Sequence, residues 1–343
     1  MTHHALRLRL DSLALQNNWR WLQRTAGVTA GAAIKADGYG LGAVEVTRLL
    51  AEVGCRDFFV STWAEAHALG PLPEGAELCV LHGVGPDDIG AAIGSRARPV
   101  LNTPEQVARW KSEASDRPCD VMIDTGMNRL GLRTDEIDLL DGLDIHTLHS
   151  HLARADEDNA MNAVQRDRFA AVAATVKARR YSFANSAGIC LGTDYAFNLV
   201  RPGLALYGGV PRIEAAGHIS QVAFPEAEIM QRRIVRAGET IGYGATWRAD
   251  AHTEAAIVNI GYADGYLRCF AGKGSASFDG RTLPLIGRVS MDLVALDVTA
   301  APELAEGDWV TMDYELPTAA EASGLSQYEL LTGLSERLER YWI

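Results

Sequence analysis

Leu6, Leu8 and Leu10 alternate with polar residues at the period of a half-buried strand. Asp11 then stands where it can cap a helical pattern running to about Arg24. Beyond that helix, short apolar runs alternate with amphipathic stretches. The runs predict strands over 30–34, 58–61, 78–81, 99–102, 121–124, 145–151, 182–184 and 198–201. Among the helices between them, one opens at Thr103, with Pro104 in its first turn and Gln106 in the capping-box position. Another covers 165–180, with Phe169, Val172 and Val176 on one face. About eight strand–helix alternations over roughly 200 residues suggest an α/β TIM-type (β/α)8 barrel more than an open doubly wound sheet.

Past about Pro225 the texture changes. Strand patterns over 228–235, 255–260, 274–278, 283–289, 293–298 and 309–312 follow one another without helices, and Asp279-Gly280 between two of them is a hairpin signal. The expected organisation is a barrel domain over 1–227 and a mainly β domain over 228–343. Residues 1–11 are a candidate strand of the second domain.

A length of 343 residues suits two domains, and 48% hydrophobic with 22% charged residues suits a water-soluble globular chain. The net charge of -12 argues against a nucleic acid or an anionic membrane as partner. Cys55, Cys79, Cys119, Cys190 and Cys269 are scattered without a C-x-x-C pair, which points to reduced thiols in a cytoplasm. Arg7, Arg9 and Asp11 interrupt the N-terminal apolar positions, so no signal-peptide core is expected, and no run is long enough to span a membrane.

The first predicted barrel strand ends in Lys35, followed by Ala36-Asp37-Gly38-Tyr39-Gly40-Leu41-Gly42. A dinucleotide fingerprint does not fit, because the third glycine position is Glu45. A Walker loop does not fit either, because the lysine precedes the glycines. Two readings stay open: an ordinary strand end and turn, or a desolvated amine that forms a Schiff base with a carbonyl. In a barrel, chemistry gathers at the C-terminal ends of the strands. There the chain offers the Asp124–Gly131 run with Arg129, then His149-Ser150-His151, Ala184-Asn185-Ser186 and Arg201-Pro202-Gly203. An amine, two arginines, a histidine and a serine beside glycine-rich turns suit an anionic, phosphorylated cofactor bearing an aldehyde. His149 and His151 share a face if the strand runs through both. No acidic or cysteine partner is evident nearby, so no metal is expected.

AAIKADGYGLG, DTGMNRLG, SHLARADE, FANSAG, RPGLALYG, IGYGATW, NIGYADGY and GRVSMDL stand in this order along the chain. In that order, over essentially the whole length, the sequence resembles the pyridoxal-phosphate-dependent alanine racemases. The resemblance implies a homodimer with shared active sites that interconverts L- and D-alanine for peptidoglycan. A racemase of serine or of broader specificity is the nearest alternative. It also implies that Lys35 holds the cofactor as an internal aldimine and serves as one base, with Tyr243 the opposing base. Arg129 and Met291 would contact the substrate, Arg129 also reaching the cofactor's phenolic oxygen. His151 would lie near the ring, and Arg201 would bond the pyridine nitrogen. Tyr39, Ser186 and the backbone of Gly203 and Leu204 would bind the phosphate. Tyr262 and Asp292 would shape the entrance, Met291 and Asp292 coming from a second subunit.

The sequence departs from the family pattern in four places. Met122 stands where many members carry a modified lysine that orients the arginine equivalent to Arg129. Leu41 replaces a common histidine, Ser290 a common cysteine, and Glu336 a C-terminal tyrosine.

Overall fold

Asp11 begins the first helix as its position predicts, its Oδ1 accepting from the Ala14 N–H at 2.8 Å, and the helix runs over Ser12–Ala26. The computed structural model describes residues 4–343; residues 1–3 of the expected N-terminal strand lie outside the described residues. Two compact units result. One is Leu15–Ser220, and the other joins the N-terminal segment through Ala14 to Gln221–Ile343.

The first unit is the barrel. Parallel strands at Asp57–Val60, Glu77–Val80, Arg98–Leu101, Cys119–Met122, Ile145–His149, Arg180–Ser182 and Leu199–Val200 follow one another around it. The first barrel strand is split into Thr29–Ala30, which pairs with Leu199–Val200, and Ala32–Ala33, which pairs with Asp57–Val60. Because the sheet begins and ends on two halves of one strand, it closes on itself. The split falls at Gly31, where a Cβ would sit 2.6 Å from the Asp57 carbonyl oxygen, so only glycine permits the approach. Each of the eight predicted strands is present within two residues of its expected bounds.

Thr103 caps Pro104–Glu113 by accepting from the Gln106 N–H. The helix expected over 165–180 instead covers Ala160–Ala173, because Asn159 caps it by accepting from the Met161 N–H at 2.9 Å. Phe169 and Val172 are buried as expected, while Val176 falls beyond the helix end.

The second unit is mainly antiparallel β. Leu6–Leu10, with Leu6, Leu8 and Leu10 buried, pairs antiparallel with the long strand Ala223–Val235 and parallel with Glu339–Trp342. The β unit therefore begins at Gln221 rather than at residue 228, because its longest strand starts at Ala223. Glu226 on that strand accepts from Arg7 and Arg9 and from the Tyr341 hydroxyl, tying three strands together. Asp279 and Gly280, at φ 46° and 75°, turn the hairpin between Ser275–Phe278 and Arg281–Ile286.

Candidate active site at the barrel rim

Lys35 follows the end of the first strand, with Ile34 held by its N–H on the Phe59 carbonyl. Instead of a simple turn, Ala36, Asp37, Gly38 and Tyr39 form a left-handed helical turn, with φ of 51°, 52°, 63° and 57°. Bonds from Gly38 N–H to Ile34 O and from Gly40 N–H to Ala36 O, both 2.8 Å, close it. Left-handed non-glycine residues cost about 1–2 kcal/mol each, and such strain survives only where the surroundings enforce it. Glu65 is one enforcer: it accepts from the Ala36 N–H at 2.8 Å while capping the helix Trp63–Leu69. Burial pushes the Lys35 amine below its ordinary value. The positive charge of Arg129 pushes the same way, and Glu65 partly opposes both.

Arg201 is buried within the barrel. Its Nη1 reaches His149 Nδ1 at 3.2 Å and donates to Ser182 Oγ, and its Nη2 donates to the Ser150 carbonyl at 2.6 Å. Burial lowers it to about 10, so it remains a cation at neutral pH. His151 lies just past the strand Ile145–His149 rather than on it. Burial, followed by the charges of Arg201, Arg129 and Lys35, pushes His151 down to about 3. His149, which the sequence left without an acidic partner, has one: its Nε2 meets Asp120 Oδ2 at 3.1 Å, and the Cys79 thiol meets the same oxygen.

Opposite this cluster, Ser186 Oγ accepts from the Gly203 and Ala205 N–H groups at 3.0 and 3.2 Å. A Cβ on Gly203 would lie 2.2 Å from the Tyr39 hydroxyl, so the glycine leaves room for that group beside Ser186. Tyr39 stacks on Tyr207 at 4.7 Å, and the Tyr207 hydroxyl donates to the Ala33 carbonyl. Leu204 is buried at the start of the short helix that follows. Two hydroxyls and a backbone turn thus converge on a small polar recess, the kind of place that takes a phosphate group.

Arg129 projects from the loop after Cys119–Met122. Asp124 Oδ1 accepts from the Gly126 and Met127 N–H groups, and Asp124 N–H bonds to the Leu132 carbonyl. Among the described residues nothing hydrogen-bonds or ion-pairs with the Arg129 guanidinium, which is exposed. Met122 belongs to an apolar cluster with Phe59, Cys79, Val100 and Leu199. Gln165, which the sequence did not single out, ties this loop to its neighbour. Its amide donates to the His151 carbonyl and the Thr125 hydroxyl, and its oxygen accepts from the Ala153 N–H.

In the β unit, Tyr243 is 71% exposed on the turn Tyr243–Ala245, and Gly244 of that turn lies against the Arg288 guanidinium. Tyr262 and Met291 share a second surface loop pair, joined by Tyr262 N–H to Ser290 O and Ala263 N–H to Met291 O, both 3.0 Å. Asp292 accepts from Arg337 at 2.8 Å, and Arg337 also pairs with the buried Asp264. Glu336 is exposed, and Leu41 is buried in the core.

Residues 10–211 match the N-terminal domain of alanine racemase and residues 222–342 match its C-terminal domain. The chain belongs to the alanine racemase family. The alanine racemase of Acidiphilium cryptum is 41% identical over 97% of both chains. A catabolic alanine racemase of Agrobacterium fabrum is also 41% identical, over 98% of this chain and 92% of that one. The crystal structure of alanine racemase from Bartonella henselae with covalently bound pyridoxal phosphate superposes with a TM-score of 0.91. It is 32% identical and covers 99% of this chain and all of that one. A barrel followed by a mainly β unit is the family architecture, and the protein is a pyridoxal-phosphate-dependent isomerase of this family.

Proposed function

We propose that the protein interconverts L- and D-alanine, with pyridoxal phosphate at the barrel rim. The observation that carries this reading is the Lys35 amine, desolvated and under the positive charge of Arg129, at the end of the barrel strand that leads through a left-handed turn to the Tyr39–Ser186–Gly203 recess. The residues present fit the cofactor: an amine for its aldehyde, a hydroxyl-lined recess for its phosphate, and a buried guanidinium for its ring nitrogen. Bound there, the cofactor supplies an electron-poor ring that makes the α-proton of an attached amino acid acidic.

Lys35 serves as the base on one face of the substrate Cα, and Tyr243 of a second copy of the chain serves on the other. Two fixed bases return a proton to the opposite face without moving the substrate. Arg201 would hold the ring nitrogen and, keeping its own proton, would leave that nitrogen unprotonated. An unprotonated ring would withdraw electrons less strongly, which would favour return of the proton to Cα over side reactions. Arg129 and Met291 meet the substrate, Met291 coming with Tyr243 from the second copy, while Tyr262 and Asp292 shape the entrance. The exposure of Tyr243 and Met291, at 71% and 53%, supports a two-fold homodimer that covers them. The product supplies D-alanine for peptidoglycan in the cytoplasm, a setting compatible with five unpaired cysteines. No described helix is long and apolar enough to cross a membrane.

Incubation of the purified protein with pyridoxal phosphate and L-alanine, followed by separation of the enantiomers, tests the reading. The expected product mixture approaches equal amounts of both. Turnover of serine without formation of D-alanine would reassign the substrate.

A further inference from the structure

A chain of buried polar groups runs through the barrel interior behind Arg201. Asp120, fully buried, fills both of its oxygens. Oδ1 accepts from Arg98 Nε at 3.0 Å and the Thr147 N–H at 3.1 Å, and Oδ2 meets the Cys79 thiol at 2.9 Å and His149 Nε2 at 3.1 Å. Arg98 in turn pairs with Glu77 at 2.9 Å. Burial alone would raise the Asp120 carboxyl, but the His149 bond and the charges around it hold it well below the ordinary range. An ionised carboxylate only accepts, so His149 Nε2 carries the hydrogen. A guanidinium only donates, so His149 Nδ1 presents its lone pair to Arg201. The donor–acceptor inventory therefore fixes one neutral tautomer of His149.

Arg201 is held in one pose by the same donors and acceptors. Both Nη1 hydrogens are used, on His149 Nδ1 and Ser182 Oγ, and one Nη2 hydrogen is used on the Ser150 carbonyl. Nε–H and the second Nη2–H are left unengaged by the described residues. Ser182 is itself anchored, donating to the Leu199 carbonyl at 2.7 Å. An acid placed directly on Arg201 would neutralise it and pull it into an ion pair. A neutral imidazole holds the same nitrogen and leaves the full positive charge facing the pocket.

We propose that His149, its tautomer set by Asp120, is the positioning residue that aims the Arg201 guanidinium at the ring nitrogen of the cofactor. The proposal rests on the reading of Arg201 as the ring-nitrogen partner. His149 touches neither substrate nor cofactor and acts through Arg201 alone. Its ring packs perpendicular to the Phe59 ring with centroids 6.0 Å apart, so an aromatic replacement fills the space without supplying an acceptor.

The test compares His149→Phe, His149→Asn, Arg201→Lys and the double variant His149→Phe/Arg201→Lys, each as holoenzyme. The readouts are the absorption spectrum of the bound cofactor, its dissociation constant, and kcat and KM for alanine. His149→Phe is expected to shift the cofactor spectrum and lower kcat by roughly tenfold or more, with KM for alanine little changed. Asn places an acceptor near the Nδ1 position, so His149→Asn should recover most of the loss. The double variant should be no worse than Arg201→Lys alone.

A wild-type spectrum and kcat in His149→Phe, alongside a clear defect in Arg201→Lys, would overturn the positioning role and leave the reading of Arg201 intact. Absence of any effect in Arg201→Lys would overturn that reading itself. Equal defects in His149→Phe and His149→Asn, each additive with Arg201→Lys, would mark His149 as a packing residue and refute the proposal.

Discussion

A Cβ placed on Gly203 would sit 2.2 Å from the hydroxyl of Tyr39. The tyrosine cannot yield easily, because its ring is stacked on Tyr207 and its backbone is locked in the left-handed turn that follows Lys35. One glycine therefore keeps open the recess where two hydroxyls and a backbone turn meet. Gly203→Ala is expected to weaken pyridoxal phosphate binding by about tenfold or more, roughly 1.4 kcal/mol, while leaving the fold intact. Fluorescence titration of the apoprotein with the cofactor checks this; unaltered affinity would mean that the phosphate lies elsewhere.

The left-handed turn itself carries a prediction that inverts the usual rule. Glycine in place of an exposed alanine ordinarily costs about 1 kcal/mol in a helix. Ala36, exposed and at φ 51°, gains from the same change because glycine adopts that region without strain. Urea denaturation should therefore show Ala36→Gly neutral or stabilising by up to about 1 kcal/mol, and Ala170→Gly in the right-handed helix Ala160–Ala173 destabilising by a similar amount. Equal losses in both would show that residues 36–39 are not left-handed in solution.

Burial is the largest influence on His149 and lowers it to about 4, against about 6.5 in an unfolded chain. Between these values the unfolded chain binds a proton that the folded chain refuses. The contribution of this group to stability is complete above about pH 6.5 and declines as pH falls toward 4. From pH 7 to pH 5 the loss is on the order of 2 kcal/mol. The urea-unfolding free energy of the wild type should fall over this range by about that much more than that of His149→Asn. Parallel profiles would show that the folded protein accepts a proton at this site.

If Tyr243 acts on the Lys35 of a second copy, inactive Lys35→Ala and Tyr243→Phe proteins should complement each other. After subunit exchange, one site of each mixed dimer has both bases, and about a quarter of wild-type activity is expected from statistical mixing. No recovery despite demonstrated exchange would mean that each site is built within one chain.

The strands were legible because each is a short apolar run bounded by turn residues, and their C-terminal ends put Lys35, Arg129, His151, Ser186 and Arg201 on one rim. The left-handed turn was not legible, because nothing in Ala36 or Tyr39 favours it; Glu65 and the contact with Gly203 impose it from elsewhere. Asp120 was hidden inside an otherwise apolar strand. Its partner His149 lies 29 residues on and Arg201 lies 52 beyond that, so their bonds exist only once the barrel closes. Gln165 was hidden too, since the helix that carries it begins at an asparagine cap upstream of its apolar face. Met122 shows the opposite case: a departure visible in the sequence proves to be an ordinary core residue, and Arg129 keeps its exposed position without a hydrogen-bond or ion-pair partner among the described residues.

The most direct test of the two-base account is α-hydrogen exchange of each alanine enantiomer in deuterated water, catalysed by the Tyr243→Phe holoenzyme. With Lys35 intact and the opposing base removed, one enantiomer should exchange its α-hydrogen while the other does not, and racemisation should collapse. Exchange of both enantiomers at wild-type rates, with racemisation intact, would contradict the assignment of Lys35 and Tyr243 to opposite faces of the substrate.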